Sequence, residues 1–452
     1  MKRVGRLAAA GVSAFVCLQL VRPGIPFAPT RAEIQAPPKV RRIIQKDCYS
    51  CHSDERRLSW FDEIVPGYWL VRSDVLSARE HLNFSTLGSK PAAAQRATLY
   101  EAANMIQLGA MPLPQYVALH PEAKVTPEDL AALKEYLAPW NSGASSVPAS
   151  ALDKTDANLK TNLGAVPAEF DGLPFQADFE SWRPISFTDR GDNNTFRVIL
   201  GNQIAVEAAA AGNISPWPDG TRFAKIAWQQ TADSDGHIYP GSFVQVEFMV
   251  KDAKLFRKTD GWGWGRWRGL DLKPYGNDSN FVAECTGCHR PVRGNDFVYT
   301  LPITQAESVR AEVVNNRAAL PGHSLPYQPL GWGVVTMMVD PRAHTIATLF
   351  GNDIAMQAVK VGGFRTSGKA FAYPAGSVLA LVTWGERDDP HWFGARIPDI
   401  PRSVEFVEVN AAGKGGGYRC YDGTPLNEHL VGIEVEGERS DFLLNLAPAI
   451  LP

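Results

Sequence analysis

Cysteine is scarce in this chain of 452 residues: there are six in all, and four of them sit in two copies of one short motif. Cys17 lies in an N-terminal apolar run and Cys420 stands alone, so no disulfide framework can be built from the remainder. Charge of one sign is also lacking. Forty-five basic residues against 48 acidic ones leave a net charge of −3, and no basic stripe runs along any segment. That argues against nucleic acid as a partner. Long apolar runs are missing too. The run from Leu7 to Val21 is short for a bilayer span, and nothing later in the chain is long and apolar enough. Methionine is rare, with seven in the chain, so one held in a stiff loop merits weighing as more than packing filler.

What is present begins with a targeting segment. Lys2, Arg3 and Arg6 precede the apolar run, and Pro23 and Gly24 close it, as in the charged and apolar regions of an export signal. No clean small-x-small cleavage site follows. Residues 1–25 are therefore read as an export signal or a retained anchor, with the periplasm as the expected location and a membrane tether if uncleaved. The length exceeds one hydrophobic core and predicts two to four domains.

The hydrophobic period changes along the chain. Val40, Ile43 and Ile44 make a helical stripe. Thr126-Pro127-Glu128-Asp129 is a helix start, Leu130, Leu133 and Leu137 form one face, and Pro139 stops the helix. Residues 33–140 read as a helical domain and 141–172 as a linker. Beyond Phe170 the period is two. Thr195 to Leu200 and Phe243 to Val250 both alternate, which predicts strands of an antiparallel, half-buried sheet over 173–305.

The chain also repeats itself at domain spacing. Leu200-Gly201-Asn202-Gln203-Ile204-Ala205 returns as Phe350-Gly351-Asn352-Asp353-Ile354-Ala355, and Pro218-Asp219-Gly220 returns as Pro374-Ala375-Gly376. Trp267-Arg268-Gly269 is echoed by Tyr421-Asp422-Gly423. The expected fold class is thus multidomain, α followed by two α+β units, the second spanning 328–447.

The two motifs are Cys48-Tyr49-Ser50-Cys51-His52 and Cys285-Thr286-Gly287-Cys288-His289. Two cysteines three apart can each add to one vinyl group of a haem, and the adjacent histidine then reaches the iron. Zinc would need further Cys/His pairs nearby, and there are none. The reading is two covalently bound c-type haems with His52 and His289 as proximal ligands. Met111, in Gly109-Ala110-Met111-Pro112-Leu113-Pro114, is the expected sixth ligand of the first, because the prolines forbid a helix and hold the thioether in an extended loop. His81 and His120 are its rivals. No such loop follows the second motif. Met249, His237 and His323 lack a supporting motif there, so an open sixth position is expected.

Residues 37–140 resemble the haem-binding domain family of periplasmic cytochromes c. The resemblance rests on the first motif, Trp69-Leu70-Val71, His81-Leu82-Asn83-Phe84-Ser85, Gly109 to Pro112, Tyr116 and His120-Pro121. Residues 182–302 resemble cytochrome P-460, whose c-haem is crosslinked to a lysine. The matching stretches are Phe196-Arg197-Val198-Ile199, Pro216 to Thr221 leading to Lys225, Val250-Lys251-Asp252, Gly261 to Gly265, the second motif and Asp296-Phe297-Val298. The resemblance implies a small antiparallel sheet with helices, usually dimeric. It implies hydroxylamine oxidation at five-coordinate iron, or, in relatives without the crosslink, nitric oxide binding. By position it makes Lys225 the crosslinking residue, with Arg197 and Glu247 as distal polar groups and electrons leaving through an electron-transfer partner.

On pattern alone, a lysine in Phe223-Ala224-Lys225-Ile226-Ala227-Trp228 belongs on a solvent face. Glu247 shares a strand face with Phe243, Gln245 and Met249. Burial there would raise its pKa and suit it to shuttle protons, with Glu284 as an alternative. In the second repeat Leu381 takes the place of Lys225 and no haem motif follows. That copy is expected to be inert and to stand in for a dimer partner within a monomeric chain.

Overall fold

The computed structural model describes residues 2–138, 162–278, 280–303, 319–322, 324–362, 371–413 and 415–452. The chain divides into two compact units, 1–140 and 141–452.

The first unit is helical. Helix α1 (Lys2–Leu18) carries the apolar run, and among the described residues no helix is long and apolar enough to cross a membrane. The segment after it is pinned down. Gln19 exchanges two 2.9 Å hydrogen bonds with the backbone of Val65, Trp69 Nε1 donates to Val21 O at 2.8 Å, and Ile25 and Ile34 are buried. Helix α2 (Pro38–Asp47) starts with proline at its first position and buries Val40, Ile43 and Ile44, the predicted stripe. It runs directly into the short α3 (Tyr49–His52). Helices α4 (Gly67–His81), α5 (Ala92–Gln107), α6 (Pro114–Leu119) and α7 (Pro127–Leu137) follow. Thr126 caps α7, its hydroxyl accepting from Asp129 N at 3.1 Å, and α7 buries Ala132, Leu133 and Leu137. Pro139 lies outside the described residues.

The second unit is built on a ring of strands. β1 (Arg183–Arg190), β2 (Thr195–Gly201), α8 (Gln203–Ala211), β3 (Arg222–Ala232), β4 (Ile238–Lys251), β5 (Trp262–Arg268), β6 (Lys273–Pro274) and α9 (Asn280–His289) come first. Then β7 (Gly333–Asp340), β8 (Thr345–Gly351), α10 (Asp353–Gly362), β9 (Val378–Asp388), β10 (Ala395–Val409), β11 (Gly415–Asp422), β12 (Asn427–His429) and α11 (Ile433–Asn445) repeat nearly the same order. All pairings are antiparallel. The order β1-β2-β3-β4-β7-β8-β9-β10 closes when β10 pairs β1, with β5 and β6 branching from β4, and β11 and β12 from β10. The two closures are Asp189 opposite Arg396 and Ile238 opposite Val339.

Matching positions do matching work in the two halves. Asn202 caps α8 by accepting from Ala205 N at 3.1 Å, and Asn352 accepts from Ala355 N at 3.0 Å. A Cβ on Gly201 would meet Ala205 at 2.8 Å, and one on Gly351 would meet Ala355 at 2.9 Å, so each helix can start only against a glycine. Lys225 lies between Ile199 and Glu247 across the strands, as Leu381 lies between Leu349 and Glu405.

The inner faces of both halves share one core, in which Phe187, Phe196, Trp228 and Phe248 join Phe350, Val382, Trp384 and Phe406. That sharing overturns the half-buried reading of the sheet. β2 is buried at every residue except Arg197, because α8 and α9 cover the outer face while the other half covers the inner one. The linker reading also fails at its C-terminal end. Glu169 is buried and accepts from the backbone of Arg266 and Gly276 at 3.0 and 2.8 Å, and Leu163 and Val166 pack on the core.

Candidate functional site

In the first unit the cysteine motif sits at the junction of α2 and α3. His52 Nδ1–H donates to Leu82 O at 2.9 Å, which leaves Nε2 as the ring's free lone pair, and burial holds its pKa below the ordinary value. The loop behind it explains why His81 to Ser85 travels with the motif. Phe84 N donates to His52 O at 2.8 Å, Asn83 Nδ2 to Asp54 at 2.8 Å, and Asp54 N to Ser85 Oγ at 2.8 Å. An apolar pocket lined by Val40, Ile44, Phe84, Leu99 and Leu133 adjoins Cys48.

Met111 follows α5 in a loop whose backbone N–H donates to Met105 O at 3.1 Å. The second proline of that loop does not forbid a helix as predicted. Pro114 instead opens α6, where its missing N–H costs nothing. Tyr116 on α6 is half-buried, stacks on His120 with ring centroids 4.1 Å apart, and has its pKa raised by burial. Of the rival ligands, His120 is committed. Its Nε2 meets Asp62 Oδ1 at 2.9 Å, and its ring stacks between Phe61 and Tyr116. His81 is exposed, with Nδ1 on Ser77 O.

In the second unit, α9 brings Cys285, Cys288 and His289 onto the outer face of the first half-ring, with Cys285 packed among Ile199, Phe223, Trp262 and Trp264. His289 Nδ1–H donates to Phe297 O at 2.7 Å, again leaving Nε2 free. The Trp264 ring centroid lies 4.5 Å from the histidine ring and that of Tyr299 5.2 Å, and Tyr299 hydroxyl donates to Cys288 O at 2.7 Å. Desolvation pulls the His289 pKa down to about 4, so the ring is neutral and able to ligate a metal. Burial likewise pushes the thiols of Cys48 and Cys285 up to about 12.

Facing α9 is a row of charges set by strand register. Lys225 on β3 pairs with Glu247 on β4, whose Oε1 takes Arg266 Nε on β5 at 3.0 Å, and Arg266 Nη1 reaches Glu284 on α9 at 3.0 Å. Lys225 is not on a solvent face: its side chain is 30% exposed, among apolar residues under α9. Desolvation lowers its pKa to about 8 against the pull of Glu247. Glu247 departs from expectation. Desolvation does push it up, but the Lys225 ammonium and then Arg266 outweigh burial and hold it at about 2. Arg197, one register step away, is lowered to about 9 by desolvation and by Arg190.

One further expectation changes, and three weaker ligand candidates can be placed or set aside. Phe243 leaves the face of Glu247, because β4 bulges between Gln245 and Phe243, which pair with adjacent residues Ala227 and Trp228; Phe243 turns into the shared core. His237 sits in the β3–β4 turn with Asp233 and Asp340. Met249 remains on the α9 side, opposite Trp264, and His323 lies outside the described residues. Sequence reasoning missed Arg266. Alternation with Trp262 and Trp264 was the available signal, since all three share the outer face.

The residues fit haem by their donor set. Each site offers two cysteines one helical turn apart and a histidine with one free nitrogen. On the second, the buried donors Arg197 Nε and Trp217, Trp262 and Trp264 Nε1 have no acceptor among the described residues. Buried donors without partners are costly, and the carboxylates of a haem are groups that accept from them.

Comparison with known families agrees. Residues 13–139 match the haem-binding domain family and residues 176–300 match cytochrome P-460. No curated protein matches the chain. With a cysteine pair and a free histidine nitrogen inside each matched segment, the chain belongs among the haem cytochromes, joining a haem-binding domain to a cytochrome P-460 domain.

Proposed function

We propose that the chain is a periplasmic cytochrome with two covalently bound c-type haems, which oxidises hydroxylamine or a similar small nitrogen compound at the site of His289. Electrons then pass to the site of His52 and Met111, and on to a soluble or membrane-bound acceptor. The observation that carries this reading is the row Lys225–Glu247–Arg266–Glu284 facing the second motif. The haem supplies the electron sink and the metal position for a small ligand.

The protein's part is proton handling and positioning. While Lys225 is an ammonium, Glu247 at about 2 is too weak a base to take a proton from nitrogen. A bond from Lys225 to the haem would remove that cation, leave Glu247 buried with Arg266 as its strongest partner, and raise its proton affinity. Arg266, a permanent cation, ties it to Glu284, whose side chain is 37% exposed and forms the solvent-facing end of the row. Arg197 supplies a buried cation with an uncommitted Nε for an anionic oxygen.

Lys225→Leu reproduces the residue of the other half at this register. It is expected to keep both haems attached, return the second to an ordinary c-haem spectrum, and lower hydroxylamine oxidation at least tenfold. Wild-type protein with ordinary spectra at both sites would remove the crosslink from the reading. One observation favours a second reading, nitric oxide binding without a crosslink: Glu247 holds Lys225 as an ammonium at neutral pH. On that reading hydroxylamine is not turned over, the ligand-free ferrous protein has the Soret band of an ordinary c-haem, and it binds nitric oxide.

A further inference from the structure

We infer that Lys251 and Asp296 are positioning residues that set the electron-donating strength of His289, acting through a strained turn. The inference rests on the reading of His289 as an iron ligand. Lys251 ends β4 and is buried, and its Nζ lies 2.8 and 2.9 Å from the two carboxylate oxygens of Asp296, with both side chains about one-tenth exposed or less. Asp296 also accepts from Trp217 N at 2.9 Å, and the Lys251 ammonium lies 4.7 Å from the Trp262 ring centroid. Two separate segments thus converge on one carboxylate, and a third packs on its lysine partner, away from the row around Glu247.

What that carboxylate holds is unusual backbone. Asp296 and Phe297 have φ of +47° and +65°, two consecutive non-glycine residues in the left-handed region, a conformation that costs each of them energy unless its surroundings enforce it. The same turn aims Phe297 O at His289 Nδ1, 2.7 Å away. Nearby bonds support the turn, Phe297 N donating to Val292 O at 3.1 Å and Asn295 Nδ2 to Val298 O at 2.6 Å, but neither of these fixes the Asp296 side chain. The ion pair does so. A buried pair of this kind is a poor source of net stability, because desolvation offsets its attraction. A positioning role accounts for its presence where a stability role does not.

The consequence follows from the chemistry of a ligating imidazole. A carbonyl accepting from Nδ1–H adds basicity to Nε2 and fixes the ring's rotation, which favours ferric over ferrous iron. If the turn relaxes, that hydrogen bond lengthens, the ligand weakens and the potential of this haem rises. The signal-bearing residues were visible as Val250-Lys251-Asp252 and Asp296-Phe297-Val298, some 45 positions apart, but only the fold joins them.

The test uses the full-length holoprotein in three forms: Lys251→Met combined with Asp296→Asn, which removes both charges while leaving an acceptor for Trp217 N; Lys251→Gln, a milder change that still donates to Asp296; and Lys251→Arg, which keeps the charge. Each is titrated potentiometrically, with the haem at His52 as internal reference. A raised potential at the second haem in the double variant, a smaller rise in Lys251→Gln, near wild-type behaviour in Lys251→Arg and an unmoved first haem are the expected results. A second-haem potential that does not move in either charge-removing form overturns the assignment. Should the double variant fail to fold, Lys251→Gln alone decides. Wild-type protein carrying no haem on Cys285 and Cys288 by mass would overturn the reading beneath, and this proposal with it.

Discussion

At Lys225 burial and charge pull in opposite directions. Desolvation favours the free amine, Glu247 favours the ammonium, and the balance falls at about 8, below the ordinary lysine value. Neither this balance nor the depressed Glu247 was legible in the sequence. Lys225 and then Arg266 set Glu247, and only the β3–β4 and β4–β5 registers place the three side by side. The haem motifs, by contrast, could be read directly, because cysteine pair and histidine are contiguous and need no tertiary partner. Met111 stands between these cases. The structure ties its rival His120 to Asp62 and places Met111 in the loop before α6, and its ligation of the first haem stays a proposal. Met111→Ala is expected to abolish the sulfur-to-iron charge-transfer band of the first haem and lower its potential substantially, as read by near-infrared absorption and redox titration. An unchanged band and potential would pass the role to another residue.

Among the elements, the long strands β4 and β10 explain most of what periodicity could not. Each pairs with one neighbour along one part of its length and another beyond a bulge, so simple alternation fails partway, as it does at Phe243. The helix signals were more reliable, since Thr126 and Pro127 act locally on α7. The closure of β1 on β10 carries its own titration. Asp189, fully buried there and accepting from Gln230, is pushed up to about 7 by desolvation first and the nearby Glu386 second. A carboxyl whose native pKa exceeds its unfolded value binds more protons in the folded state. Its ionisation therefore costs stability progressively between about pH 4 and 7, and the full cost stands above that. Asp189→Asn removes this term. The gain in stability is expected to be on the order of 1 kcal/mol or more at pH 8 and to vanish near pH 4, measured as the melting-temperature difference from wild type at the two pH values. A difference independent of pH would contradict the account of Asp189.

For the molecule as a whole, the ring makes the second half, which carries neither of the two Cys-x-x-Cys-His motifs, part of the core of the first. It also reaches the haem site, since His391 Nδ1 meets Tyr299 O at 2.9 Å and the Trp392 ring lies 5.6 Å from that of Tyr299. The proposal of a monomer with an internal pseudo-dimer follows. Two halves on one chain meet at high effective concentration, and the apolar face a partner subunit would cover is already covered. Removing residues 330–452 strips Phe350, Trp384 and Phe406 from the shared core. The truncated chain is expected to dimerise or aggregate in sedimentation, whereas a soluble monomer would show that the halves are independent. That sheets and helices alternate as they do was readable from the period; that they close into one ring was not, because Asp189 and Arg396 are far apart in sequence and nothing local joins them. The central claim, a haem held by Cys285, Cys288 and His289 beside a reactive Lys225, has a direct test in peptide mapping of the purified protein by mass spectrometry. The expected result is one haem mass bridging the peptide of Cys285 and Cys288 to the peptide of Lys225, and a second haem on Cys48 and Cys51. Recovery of the Lys225 peptide unmodified, with no haem on Cys285 and Cys288, would contradict it.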